Sequence, residues 1–153
     1  STMATINRAC DLCAQWNVRF KVLQYNCDLI VQGNGYKRAL KDNPEGSLAK
    51  YYNFCFAQAS CKYVYKIDAH NVLKPNMIGE IFMTLDRYDV VYMRGENLYG
   101  RKMTYEPRIY NKELSDGYHD GENFEYLRLK IDSQVRILSR IHKKSYWHIG
   151  LYK

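Results

Sequence analysis

The sequence predicts an α/β sandwich, with a largely parallel central sheet flanked by helices, and three observations carry that expectation. Strand-like and helix-like stretches alternate along the chain in the order strand, helix, strand, helix, strand, helix, strand. Short apolar runs end in turn residues, as where Asp28-Leu29-Ile30-Val31 meets Gln32-Gly33-Asn34-Gly35. The length of 153 residues suits one domain, and 46% hydrophobic residues are enough to bury a core. Residues 1–153 are therefore expected to form a single domain, with its first strand cut short.

The elements follow in order. Residues 4–7 read as the end of a first strand and residues 8–15 as a helix. Residues 28–31 form a strand running into a turn. Residues 47–60 fit a helix, with Leu48, Tyr51, Tyr52 and Cys55 at helical spacing and Ser47 as its cap. Residues 62–67 alternate Lys-Tyr-Val-Tyr-Lys-Ile and read as a strand that stops at Asp68-Ala69-His70-Asn71. Pro75 sits where the first turn of the next helix begins. Residues 88–93 read as a strand and residues 122–129 as a short helix. Residues 134–141 fit either a strand or a basic amphipathic helix.

Charge and cysteine content narrow the partners. The net charge of +7 favours an anionic one: a nucleotide diphosphate, a nucleic acid or an acidic membrane surface. No stretch approaches the roughly 20 apolar residues of a membrane-spanning helix, and no secretory signal is visible. Five cysteines, an odd number, include one Cys-x-x-Cys pair at Cys10 and Cys13 with no second pair to complete a zinc site. Buried free thiols in a reducing, cytoplasmic compartment are the expectation.

The chemistry centres on Asp68-Ala69-His70. Parallel sheets bind ligands beyond the carboxyl ends of their strands. A carboxylate and an imidazole two residues apart at such an end can face one cleft and hold a divalent cation. The same residues also suit a turn with a capping Asp and a surface His.

The surrounding run, from Lys62-Tyr-Val-Tyr-Lys-Ile-Asp-Ala-His-Asn to Pro75-Asn76-Met77-Ile78, resembles the strand, Asp-x-Asp and Pro-Asn helix of GT-A glycosyltransferases. Other pieces resemble that family in the same order. They are Thr5-Ile6-Asn7-Arg8-Ala9, then Leu23-Gln24-Tyr25 with residues 28–35, then Asn53 and Ala57, then Gly121-Glu122-Asn123-Phe124-Glu125-Tyr126-Leu127. The resemblance covers about residues 4 to 130 and implies a GT-A (Rossmann-like) fold. It also implies transfer of a sugar, with inversion, from a nucleoside-diphosphate sugar to an acceptor hydroxyl. A UDP-sugar is the favoured donor, and a glycan, lipid or protein the acceptor.

On this resemblance Thr5, Asn7, Arg8, Gln32, Asn53, Asp68 and Lys143 would hold the donor. Asp68, His70 and His148 would bind Mn²⁺ or Mg²⁺, and imidazole suits Mn²⁺ better. Three departures from the family pattern bear on the site: His70 stands at the second Asp of the metal motif, Gln32 at an acidic base-binding position, and Asn123 at the usual catalytic base. An amide cannot take a proton, so Glu122, with Asp120 as its rival, is the expected base. The late basic residues Arg128, Lys130, Arg136, Arg140, Lys143 and Lys144 read as a solvated face, as a cover for the diphosphate or as a peripheral membrane contact.

Three other functions compete. A sugar nucleotidyltransferase would need a glycine- and base-rich loop after its first strand, and Thr5-Ile6-Asn7-Arg8 offers none. A basic nucleic-acid-binding module would suit the charge and the fifteen tyrosines, but no aromatic RNA-binding strand motif or reading helix is present, so specific nucleic-acid binding is not expected. A glycosyltransferase-like domain that has lost activity would account for His70 and Asn123.

Overall fold

The computed structural model describes residues 2–68, 71–97, 99–132, 134–138 and 146–148. Four helices are α1 (Thr2–Gln15), α2 (Tyr36–Asp42), α3 (Leu48–Ala57) and α4 (Pro75–Leu85). Nine strands are β1 (Tyr63–Tyr65), β2 (Asn71–Leu73), β3 (Val90–Met93), β4 (Gly95–Asn97), β5 (Glu106–Asn111), β6 (Ser115–Asp120), β7 (Glu125–Leu129), β8 (Ile137–Leu138) and β9 (Tyr146–His148). These counts are of the described residues.

The sheets correct the expected fold class. The largest has the order β1-β5-β3-β8, and β5 runs antiparallel to both of its neighbours. A second sheet has the order β2-β9-β4, and β6 and β7 form an antiparallel hairpin. Parallel pairing is confined, among the described residues, to β3 with β8 and β4 with β9. A largely parallel, Rossmann-like GT-A sheet is therefore not found. The cause is β5, whose return between β1 and β3 separates two strands that would otherwise be neighbours. Alternation of strand and helix patterns carries no information about such an insertion.

Local chemistry explains most element ends. Ser47 caps α3 by accepting a hydrogen bond from the Lys50 N–H, and Pro75 occupies the first turn of α4, both as expected. Residues 4–15 form one helix with no strand at its start. Residues 28–31 form no strand, although the Ile30 N–H bonds the Gly46 carbonyl. Residues 125–129 form a strand where a helix was expected: Glu125, Leu127 and Leu129 turn inward while Tyr126 and Arg128 face solvent, which is a period of two. Pro107 lies in β5 where the register with β3 slips, a bulge that tolerates its missing N–H.

β5 divides the core. Ile109 joins Met77 and Ile81 of α4 and Val91 and Met93 of β3 in one buried cluster. The next residue, Tyr110, packs on the opposite side, where its ring stacks on Phe56 of α3 at 6.1 Å and its hydroxyl lies 3.3 Å from that of Tyr118. The five cysteines are free; four are half-buried and Cys61 is exposed, so they are not the buried thiols expected.

Asp120, at the end of β6, ties this second side together. Its carboxylate accepts hydrogen bonds from the Tyr36 and Ser47 hydroxyls and from the Ala49 N–H at 3.3 Å. The Tyr36 hydroxyl in turn accepts from the Leu48 N–H at 3.0 Å. Burial, reinforced by the bond to Asp120, pushes the Tyr36 phenol up to about 12 from 10.0. The folded value lies above the unfolded one, so this contribution is complete below pH 10 and is lost as pH rises towards about 12. Tyr36→Phe is expected to melt at a lower temperature at neutral pH and to lose stability less steeply across that alkaline interval. Equal alkaline slopes in thermal melts of the two proteins would contradict it.

Candidate functional site

The residues beyond β1 gather a group of partly buried charges. Lys66 continues the ladder, with its N–H bonded to the Arg108 carbonyl at 2.9 Å. Lys66 and Asp68, two residues apart, both turn to the α3 side. Asp68 Oδ2 accepts from Arg108 at 2.7 Å and from the Asn71 side chain at 3.1 Å. Asp68 Oδ1 meets Lys66 Nζ at 3.6 Å and the Tyr52 hydroxyl at 3.5 Å. Arg108 also pairs with Glu106 at 2.7 Å.

The hairpin supplies the other half. Glu125, at the start of β7, lies 3.5 Å from Lys66 Nζ and accepts from the Gln32 amide at 2.8 Å. The ammonium of Lys66 therefore stands between two carboxylates and 4.2 Å from the centre of the Tyr52 ring. The side chains of Glu125 and Arg108 are 4% and 7% exposed, against 19% each for Lys66 and Asp68, so the latter pair lies nearer the solvent, as does Glu106 on the far side of Arg108. Burial pushes the Tyr52 and Tyr118 phenols up strongly, and at Tyr52 the charges of Asp68 and Glu125 add to it. Both stay neutral hydrogen-bonding groups across the physiological range.

The expected site residues fall into different places. Gln32 and Asp68 belong to one continuous set of contacts through Glu125 and Lys66. Asn53 is used within the fold: its amide donates to the Tyr118 carbonyl at 2.9 Å and accepts the Tyr118 N–H at 2.8 Å. Gly117 next to it has φ +91°, and a Cβ there would lie 2.8 Å from the Asn53 oxygen. Thr5, Asn7 and Arg8 lie on the exposed part of α1 instead of at a strand end. His70 and Lys143 lie outside the described residues. His148 is placed by its backbone alone, in β9 opposite Asn71 and Asn97.

Of the late basic residues, Arg136 pairs with Asp89 at 3.1 Å and Lys130 with Asp116 at 3.0 Å. Those two serve as tethers, while Arg140, Lys143 and Lys144 lie outside the described residues. The sequence pattern does not mark Lys66, Arg108, Glu125 and Tyr52 as site residues. Lys66 had a usable signal, since strand period two puts it on the face of Asp68.

The described surroundings of Asp68 suit a divalent ion poorly. Asp68 is the one expected ligand whose side chain is described, and it is already held by a guanidinium and an ammonium. Unit charges about 4 Å apart interact by roughly 4 kcal/mol at an effective dielectric of about 20. A doubly charged ion on the same carboxylate would face both cations. Among the described residues, no three His, Cys, Asp or Glu side chains converge.

The two candidate bases differ in kind. Asp120 is committed to Tyr36, Ser47 and Ala49. Glu122 is 70% exposed and pairs with Lys37 at 2.8 Å. Among the described residues, no helix is long and apolar enough to cross a membrane. The chain matches no protein-family model, and no curated protein matches it.

Truncating the two acids separates their roles. Asp120→Ala leaves three donors without their acceptor, and each buried donor so orphaned costs about 1–3 kcal/mol. It is expected to lower the melting temperature by several degrees. Glu122→Ala removes an exposed pair and is expected to leave it unchanged within error. Comparable losses for both variants in calorimetry would refute the distinction.

Proposed function

We propose that the chain is a glycosyltransferase that binds a nucleoside-diphosphate sugar just beyond the carboxyl end of β1 and passes the sugar to an acceptor hydroxyl. The observation that supports this reading best is the contact path Gln32–Glu125–Lys66–Asp68. Two residues far apart in sequence, each expected from family resemblance to meet the donor, lie on one partly exposed polar surface. Tyr52 beside it adds a neutral hydroxyl, 3.5 Å from Asp68, that can hydrogen-bond a sugar or a base.

In the proposed reaction the acceptor oxygen attacks the anomeric carbon. The bond from that carbon to the diphosphate oxygen breaks, and the nucleoside diphosphate leaves with the electron pair. The acceptor's proton passes to a carboxylate. Glu122 suits that role better than Asp120, because its carboxylate is solvent-facing while that of Asp120 is bonded within the fold. Asp68, fixed by Arg108 and Asn71, would orient the donor. Family resemblance favours inversion. No step is routed through a metal ion, because the residues around Asp68 fit one poorly.

The test is a panel of nucleoside diphosphates and their sugar conjugates, run by thermal shift with Mn²⁺ and Mg²⁺ present. Ligands that bind the folded state raise the melting temperature, with a stabilisation that grows as the logarithm of concentration over Kd. At least one nucleoside diphosphate is expected to stabilise the protein, and Asp68→Ala to remove most of the shift. Glu122→Gln is expected to keep that binding and to lose about 10²–10⁴-fold in transfer rate. A flat panel, or an undiminished shift in Asp68→Ala, would defeat the reading.

A further inference from the structure

Resting on that glycosyltransferase reading, we propose that Lys66, not a divalent ion, supplies the positive charge that meets the donor's diphosphate. Lys66 Nζ stands 3.6 Å from Asp68 and 3.5 Å from Glu125, the position that a cation shared by two carboxylates would take. The Tyr52 ring beneath it, 4.2 Å away, adds a favourable face for a cation.

Lys66 and Arg108 play different parts. Arg108 is held at 2.7 Å by Asp68 on one side and at 2.7 Å by Glu106 on the other. That grip is as short as charge-assisted bonds become, so Arg108 fixes Asp68 in place. Both ion contacts of Lys66 exceed hydrogen-bond length. Its ammonium is held by charge more than by direction, and its three donors can turn on a flexible stem. The side chain is 19% exposed, so it reaches the same surface as Asp68.

A diphosphate arriving there brings negative charge beside Asp68 and Glu125. Lys66 must then exchange one carboxylate for a phosphate oxygen, and contacts of 3.5 Å and 3.6 Å make that a short movement. As the sugar–phosphate bond breaks, the ammonium faces the charge that grows on the leaving oxygen. No proton, electron or further reactant is needed. Asp68, fixed by Arg108 and Asn71, stays to orient the donor, and Glu125 is the carboxylate that Lys66 gives up, so removing the charge of Glu125 strengthens binding.

The experiment measures binding of uridine diphosphate by thermal shift and calorimetry, in EDTA and in Mn²⁺. The wild-type shift is expected to be the same in both. Lys66→Met is expected to weaken binding at least about tenfold, as loss of a charged hydrogen-bond partner does. Lys66→Arg should retain most of the affinity and Glu125→Gln should raise it. Binding that disappears in EDTA and returns with Mn²⁺ overturns the proposal and leaves the glycosyltransferase reading intact. Unchanged affinity in Lys66→Met, or weaker binding in Glu125→Gln with the fold preserved, also overturns it. If Lys66→Met does not fold, the wild-type comparison in EDTA and the Lys66→Arg protein decide. No binding of any nucleoside diphosphate in either condition defeats the proposal and the function together.

Discussion

The carboxylate of Asp120 is the constraint on which the arrangement around the site depends. It lies at the end of β6, and its three partners come from two places: Tyr36 at the start of α2, and Ser47 and Ala49 at the start of α3. A helix begins with N–H groups that lack partners in the helix, and its dipole favours negative charge there. Asp120 answers both needs while joining the hairpin to two helices. Everything further along α3 inherits its position from this joint. Tyr52 comes to lie under Lys66, and Asn53 locks onto the backbone of Tyr118. Glu125, paired with Asp120 across the hairpin, is carried to the other side of the same lysine.

Much of the fold could be read from the sequence where local chemistry decides it. Ser47 and Pro75 mark the starts of α3 and α4 because each meets a need of the first helical turn. β1 and β3 follow from their apolar and β-branched runs. β5 escaped because Glu-Pro-Arg-Ile-Tyr-Asn has no clean alternation and contains a proline. It is a strand because partners on both sides satisfy it, which is a tertiary fact. The first helix and the hairpin differ from the sequence expectation for a related reason. Short segments fit two periods, and context chooses between them.

The candidate site divides in the same way. Asp68 could be found because it follows a strand and precedes a helix start, and Lys66 is on its face by period two. Arg108 and Glu125 reach them only through antiparallel pairing, and no spacing within the chain announces that. Asp120 looked like a base because it neighbours Glu122 in an acidic stretch. Its surroundings make it an internal acceptor, and that role depends on residues more than 70 positions earlier.

The cluster of Lys66, Asp68, Arg108 and Glu125 also raises a question of cost. Taking paired charges out of water is expensive, and well-packed apolar residues of similar volume often stabilise a fold as well or better. The apolar core lies elsewhere, between α4, β3 and β5, and does not need these charges. Stability alone is therefore a weak reason for two cations and two carboxylates to share the end of β1. Their arrangement is graded. Arg108 and Glu125 are buried and tightly or singly bonded, while Lys66 and Asp68 sit nearer the surface. Such a gradient suits a site in which an inner pair fixes geometry and an outer pair meets a ligand. An ion network serving only to cement the fold would have no need to leave its more loosely paired cation nearer the surface.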